Sequence, residues 1–190
     1  MSDSTEVSTR DALLRAHHQA RHTLGRESLG PRVSQSQFAE ACADALAALS
    51  VPQACPPSWA DSLRAALTSD DAQRDFVIRL NGLLHADRPL EQRFEGFAAV
   101  LAHRGILDWP TVSVFPALVF PDRFALIAPS LWCSPDVPDV PDRPDWTSYR
   151  ASQQAAHAAA RSLAGSAGLL EVHLAWCSAA PSIPSVSKPT

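Results

Sequence analysis

Basic side chains are concentrated in one short stretch near the start of the chain. Residues 10–32 contain five arginines against Asp11 and Glu27, a local charge of +3 in a chain whose net charge is −4. At 100° per residue, a helix would place four basic side chains within about 80° of one another. These four, the basic face, are Arg15, His18, His22 and Arg26. Because arginine pairs well with phosphate, this face predicts contacts to nucleic acid; Arg10 and Arg21 flank the apolar side of the same helix.

The same face has three other interpretations. It could be an ordinary solvated helix surface, or a surface for an acidic protein partner. His18 and His22 also stand at i and i+4, where both rings could reach one metal ion. The intervening residues lack the glutamate of H-E-x-x-H, and no third ligand stands at a diagnostic spacing. No metal or other cofactor is therefore predicted.

Catalytic motifs with strict requirements are missing from the sequence. It contains no G-x-x-x-x-G-K-[ST] phosphate loop, no G-x-G-x-x-G after a strand and no G-x-S-x-G elbow. The lysine of a P-D…[DE]-x-K nuclease is also lacking, because the one lysine of the chain is Lys188. His173, beside Glu171, is a candidate general base, but a buried structural histidine is the favoured interpretation. The sequence predicts a protein that is not an enzyme.

Tryptophan offers a second kind of nucleic-acid contact, because an exposed indole can stack on an unpaired base. Four of the five tryptophans stand among apolar or proline neighbours, which favours packing in the core. Trp59 stands at the start of a helix and is the expected exception. The candidate nucleic-acid-binding residues are therefore Arg10, Arg15, His18, Arg21, His22, Arg26 and Trp59.

Helices are expected to position these residues. The first begins at the capping pair Ser8 and Asp11 and runs to about Leu24, where the glycine- and proline-containing stretch 25–31 ends it. A second is expected to begin at Ser34. The apolar stripe of the first helix, opposite the basic face, consists of Leu13, His17, Ala20 and Leu24. This stripe is expected to face the core.

Further helices follow along the chain. Three are expected to begin at Ser58, after Ser69 and after Pro89, the last of them ending at Gly105. Residues 112–120 fit either a buried strand or a helix. The triplet Asp108-Trp109-Pro110 is a plausible helix start and favours the helix.

The final third is rich in proline. Pro-Asp recurs four times over residues 135–145 at a three-residue spacing, which matches the three residues per turn of polyproline II. The aspartates would then lie along one edge of an extended rod. Asp145 or Thr147 is expected to cap a helix over residues 149–163. Residues 169–176 fit either a strand or a helix.

The fold class predicted from these elements is mainly α. Residues 1–178 are expected to form one compact multi-helix domain, with the proline-rich extended segment 135–145 as an excursion and residues 179–190 as a disordered tail. No apolar run approaches the roughly 20 residues that span a bilayer, and the N-terminus has no signal pattern. The protein is therefore expected to be cytoplasmic, with no membrane partner.

Aromatic and proline landmarks recur through the second half of the sequence. They are Arg93-Phe94, Trp109-Pro110-Thr111, Phe115-Pro116, Pro121-Asp122-Arg123-Phe124, Trp146 with Tyr149, and residues 172–176. Over about half the chain this pattern resembles a group of uncharacterised bacterial helical proteins. It departs from them at the Pro-Asp repeat, where a helical stretch is usual. The resemblance implies a helical fold, supports a helix over residues 169–176 and carries no activity or site.

Taken together, these features predict a non-enzymatic nucleic-acid-binding accessory protein acting on single- or double-stranded DNA. Fifteen arginines against one lysine, with abundant alanine and proline, indicate a GC-rich genome. This composition resembles that of small DNA-damage-response proteins of stress-tolerant bacteria, so DNA maintenance or damage response is the expected setting. The alternative is a protein–protein interaction module that uses the acidic Pro-Asp segment or an exposed aromatic patch. A metal-dependent enzyme using His18 and His22 is a third hypothesis.

Overall fold

Helices make up almost all of the regular structure. The structure is a computed structural model that describes residues 3–49, 57–129, 139–162, 168–169 and 171–173. This part contains no strand, and its helices of 9 residues or more are α1 (Asp3–Leu24), α2 (Arg26–Ser34), α3 (Phe38–Leu49), α4 (Pro57–Ala66), α5 (Asp70–His85), α6 (Leu90–His103), α7 (Trp109–Val119) and α8 (Trp146–Ser162). One apolar core draws buried side chains from all eight. The predicted mainly α, compact multi-helix bundle is confirmed.

The first helix is longer than predicted and the break after it is shorter. α1 begins at Asp3, so Ser8 and Asp11 lie inside it. Residues 3–9 contain no glycine or proline to stop the helix from extending. The predicted end at Leu24 is confirmed. The predicted break over 25–31 is wrong beyond Gly25, because α2 begins at the next residue and is held in place by its buried Leu29.

The start of the next helix was also misplaced. Ser34 is the last residue of α2, and its hydroxyl donates to the Pro31 carbonyl at 2.8 Å instead of capping a new helix. Ser36, at φ 58°, makes the turn, and α3 begins at Phe38. The apolar side of α3 faces the core, since Cys42, Ala45 and Leu49 are buried. Burial raises the pKa of the Cys42 thiol to about 12.

The middle helices begin and end close to where the sequence indicates. The Ser69 hydroxyl accepts from the Ala72 N–H at 3.2 Å and caps α5. Gly105, at φ 70°, follows the end of α6. The Asp108 carboxylate accepts from the Thr111 N–H at 2.7 Å and caps α7, so the helical interpretation of this region is confirmed. Every residue of α7 is buried, and a helix without a polar side has no amphipathic pattern to distinguish it from a buried strand.

A buried segment without regular structure, residues 124–128, follows α7. Side chains satisfy its backbone. Gln153 of α8 accepts from the Ala125 N–H at 2.7 Å and donates to the Ala125 carbonyl at 3.0 Å. The Ser113 hydroxyl accepts from the Ile127 N–H at 2.9 Å. These bonds replace the strand partner that the segment lacks.

The last described elements agree with the sequence where they can be compared. Asp145 accepts from the Ser148 N–H at 2.9 Å, so Asp145 caps α8, and this bond helps to hold its pKa below the usual range. Leu169 and residues 171–173 are helical, which supports the helical alternative there. The first part of the Pro-Asp repeat, 135–138, and the tail 179–190 lie outside the described residues. Within the described ranges, no helix is long and apolar enough to cross a membrane.

His173 stands in the last helical turn, directly after Val172 of a small apolar cluster, and is 3% exposed. Burial lowers its pKa from the ordinary 6.5 to about 4. The ring is therefore neutral at physiological pH, as expected for a buried structural histidine.

The burial of His173 predicts a loss of stability in acid. Between pH 6.5 and 4 the unfolded chain binds a proton that the folded chain does not, so acidification favours unfolding. The free energy of unfolding lost through this residue levels off at about 3 kcal/mol below pH 4. We expect urea titrations to show a shallower fall of the free energy of unfolding with acidification in His173→Leu than in the native sequence. Equal slopes from pH 6.5 to 5 would contradict the buried neutral ring.

Candidate nucleic-acid interface

α1 presents the two sides that its sequence predicts. Leu13, Ala20 and Leu24 are buried in the main core. His17 lies at the border, with Nδ1 2.6 Å from the Leu118 carbonyl oxygen of α7. The members of the basic face that belong to α1 are all exposed: Arg15, His18 and His22. The placement of the apolar stripe and of these three basic residues is confirmed.

Arg26 does not continue this face in the way the helical angle implies. Gly25 interrupts the helix, so Arg26 stands in the first turn of α2. Its guanidinium reaches the carbonyl of His85 at the end of α5, at 3.5 Å. Arg26 is nevertheless exposed, as is Arg21 on α1. The break therefore turns the basic surface towards α5 instead of prolonging it along α1.

Arg10 and Trp59 do not fit the predicted interface. The Arg10 guanidinium is 2.6 Å from the Glu171 carboxylate, which offsets its charge. Trp59 is 9% exposed, because the first turn of α4 packs it into the main core together with Ala60 and Leu63. A ring with so little accessible surface cannot stack on a base, so the expected exposure of Trp59 is wrong.

His18 and His22 stay on the solvent side of α1. The His18 ring lies 5.3 Å from the His17 ring, centroid to centroid. In the portion of the chain that the structure describes, no group of three or more histidine, cysteine, aspartate or glutamate side chains is placed to hold a metal ion. The metal-dependent hypothesis therefore gains no third ligand from the described residues.

A cleft of about 610 Å³ opens where the α1–α2 junction meets the end of α5, the start of α6 and the segment after α7. We call it the arginine cleft. Its charged lining residues are Arg21, Arg26, Glu27, Arg93, Asp122 and Arg123. Two histidines, His17 and His85, also line it. Four guanidinium groups against two carboxylates give this concave surface an excess of positive charge.

Three helices end at the cleft, which explains why basic side chains gather there. The last carbonyls of a helix have no partner within it and carry a partial negative charge. His85 Nε2 is 2.8 Å from the Leu24 carbonyl oxygen of α1. Arg93 donates to the Leu83 carbonyl near the end of α5 at 2.9 Å. His17 contacts the Leu118 carbonyl near the end of α7.

Arg93 and Arg123 are the residues that the sequence interpretation missed. They lie on α6 and after α7, far from the basic stretch 10–32 in sequence. Both stand in aromatic landmarks of the sequence, Arg93-Phe94 and Pro121-Asp122-Arg123-Phe124. The Arg123 guanidinium lies over two rings, 5.8 Å from the Phe120 centroid and 5.7 Å from that of Phe124. The motif around Arg123 was the signal that the sequence offered, but it did not show that Arg123 would line the same cleft as Arg26.

His85 lies among these arginines. Burial lowers its pKa, the contact with the Leu24 carbonyl acts in the opposite direction, and the charges of Arg26 and Arg93 lower it further. The ring is therefore neutral near pH 7, and the guanidinium groups supply the positive charge of the arginine cleft.

The chain matches no protein-family model, no curated protein and no solved structure. What this surface does must therefore follow from its own residues.

Proposed function

We propose that this protein is a non-enzymatic nucleic-acid-binding accessory protein that uses the basic face together with Arg21. The proposal is carried by three exposed arginines, Arg15 and Arg21 on α1 and Arg26 at the start of α2. Among the described residues, no carboxylate lies within ion-pair distance of any of the three. Their charges are therefore available to phosphate, in an otherwise acidic chain.

Some of the other arginines, unlike these three, are already paired with a carboxylate. Arg32 pairs with Asp44, Arg64 with Asp61 and Arg104 with Asp75. Each of these arginines therefore has a carboxylate that offsets its charge. Phosphate contacts need charge that is not already paired, because affinity for nucleic acid comes largely from the release of counterions from neutralised phosphates. His18 and His22 add charge when the pH falls.

The setting we propose is bacterial DNA maintenance or damage response, on composition alone. The interaction module stays as the second proposal through its acidic segment, where Asp139 and Asp142 are exposed. Its aromatic patch finds no support within the described ranges, because the exposed large apolar side chains there are Leu14 and Ile78.

Binding to nucleic acid is tested by a gel-shift panel of single- and double-stranded DNA and RNA. We expect complexes at about 50 mM salt that weaken steeply by about 200 mM, because each phosphate contact that is formed releases counterions. Little difference is expected between unrelated sequences, since phosphate contacts carry no sequence information.

The absence of any complex at low salt, with all four nucleic acids, would contradict the proposal. A complex that is unaffected by salt would show that contacts other than arginine–phosphate pairs dominate. The purified protein should be tested in parallel with a strongly acidic peptide, which separates recognition of phosphate from general affinity for negative charge.

A further inference from the structure

The arginine cleft has the size of a ligand pocket. Its volume of about 610 Å³ falls within the range of about 300–1,000 Å³ that is typical of small-molecule sites. Such a cavity admits one nucleotide, whereas a duplex can only lie across its opening. We propose that the cleft binds one nucleotide of a single-stranded nucleic acid, an inference that rests on the proposed function and adds a preference for unpaired strands.

One arginine of the cleft, Arg93, is held in position before any ligand binds. Arg93 donates one N–H to the Leu83 carbonyl, and its Nε is buried with no hydrogen-bond partner among the described residues. Arg26 reaches the His85 carbonyl with one terminal nitrogen. Each guanidinium has five N–H donors, so the contact with Leu83 orients Arg93, and both groups keep terminal N–H donors for phosphate oxygens.

Charge in the cleft stays positive after the opposing groups are counted. The ends of α1, α5 and α7 together contribute about −1.5 elementary charges, and Glu27 and Asp122 contribute two more. Four guanidinium groups exceed this, and α2 begins at the cleft with the positive end of its dipole. Gly25 supplies no capping side chain there, so the first N–H groups of α2 face no side-chain acceptor.

The apolar part of the cleft lining suits a base. Leu84, Val119, Phe120 and Pro121 form an apolar wall. The Phe120 ring is half-buried and is held by the edge of His85, with 6.0 Å between centroids, and by the Arg123 guanidinium at 5.8 Å. Nucleobases pack on aromatic and guanidinium surfaces regardless of sequence. Apolar side chains and arginines therefore line the same cleft, which is what a base joined to a phosphate requires.

Fluorescence anisotropy with a labelled oligothymidylate of about ten nucleotides, and with a duplex of equal length, tests the inference. The critical variants are Arg123→Ala and Phe120→Leu. Neither residue belongs to the basic face. The matched control is Arg74→Ala, an exposed arginine of α5 that stands about 16 Å along the helix from His85. Circular dichroism checks that each variant is folded, and Arg123→Gln removes the charge while it keeps a polar side chain at this position.

We expect the native chain to bind the single strand about tenfold or more tightly than the duplex. Arg123→Ala and Phe120→Leu should each reduce single-strand affinity about tenfold and remove the preference, and Arg74→Ala should change neither. Thymidine monophosphate should displace the single strand. Unchanged preference in both cleft variants would overturn the inference and leave the proposed function in place. If thymidine monophosphate bound but did not compete with the single strand, the inference would also be overturned. If the native chain bound neither the single strand nor the duplex, both the inference and the proposed function would be overturned.

Discussion

Gln153→Leu is expected to destabilise the domain by about 2–6 kcal/mol, as much as the whole stability of a marginal domain. The leucine is close in size to glutamine and keeps the site filled. It can neither donate to the Ala125 carbonyl nor accept from the Ala125 N–H, which Gln153 now does at 3.0 and 2.7 Å. Two buried backbone groups would lose their partners, at about 1–3 kcal/mol each. For a chain of this size the melting temperature should fall by about 5–20 °C.

The neighbouring Gln154 provides the matched control. It is exposed on the same helix, so Gln154→Leu should change stability by no more than about 0.5 kcal/mol. Thermal unfolding followed by circular dichroism measures both variants. If Gln153→Leu and Gln154→Leu melted together, the buried segment 124–128 would not depend on this pair of hydrogen bonds.

The second large effect is expected in binding. Arg15→Ala together with Arg26→Ala should lower affinity for nucleic acid at low salt by about 100-fold, if each arginine contributes one charge-assisted contact worth about tenfold. The fold should tolerate the change, because both side chains are exposed and such substitutions cost within about 0.5 kcal/mol each. Leu13→Ala should do the reverse, since it removes a fully buried side chain at about 2–5 kcal/mol and touches no charge.

Local signals accounted for the helices with good caps. Ser69 and Asp108 each precede a helix and accept from a backbone N–H three residues on, which depends only on nearby sequence. Gly105 stops α6 for an equally local reason, its positive φ. The predicted helix start at Ser34 was wrong because a serine hydroxyl can donate to a carbonyl earlier in the chain as readily as it can accept from an amide later in the chain.

The candidate site was predicted only in part, because its halves are far apart in sequence. The exposed side of α1 follows from helical periodicity alone. The turn at Gly25, which brings Arg26 to the end of α5, depends on the packing of Leu29 and has no periodic signature. Arg93 and Arg123 meet Arg26 only because the ends of α1, α5 and α7 converge. The burial of Trp59 likewise depends on the neighbours of α4, which a single helix does not specify.

The salt dependence of binding tests the basic face most directly. Dissociation constants of the native chain and of the Arg15→Ala/Arg26→Ala double variant would be measured between about 50 and 200 mM salt, and log K plotted against log salt. Loss of two phosphate contacts should flatten the slope by about 1.8 on duplex DNA or about 1.4 on single strands, for every sequence tested. Equal slopes and equal affinities for the two proteins would contradict the assignment of phosphate binding to this surface.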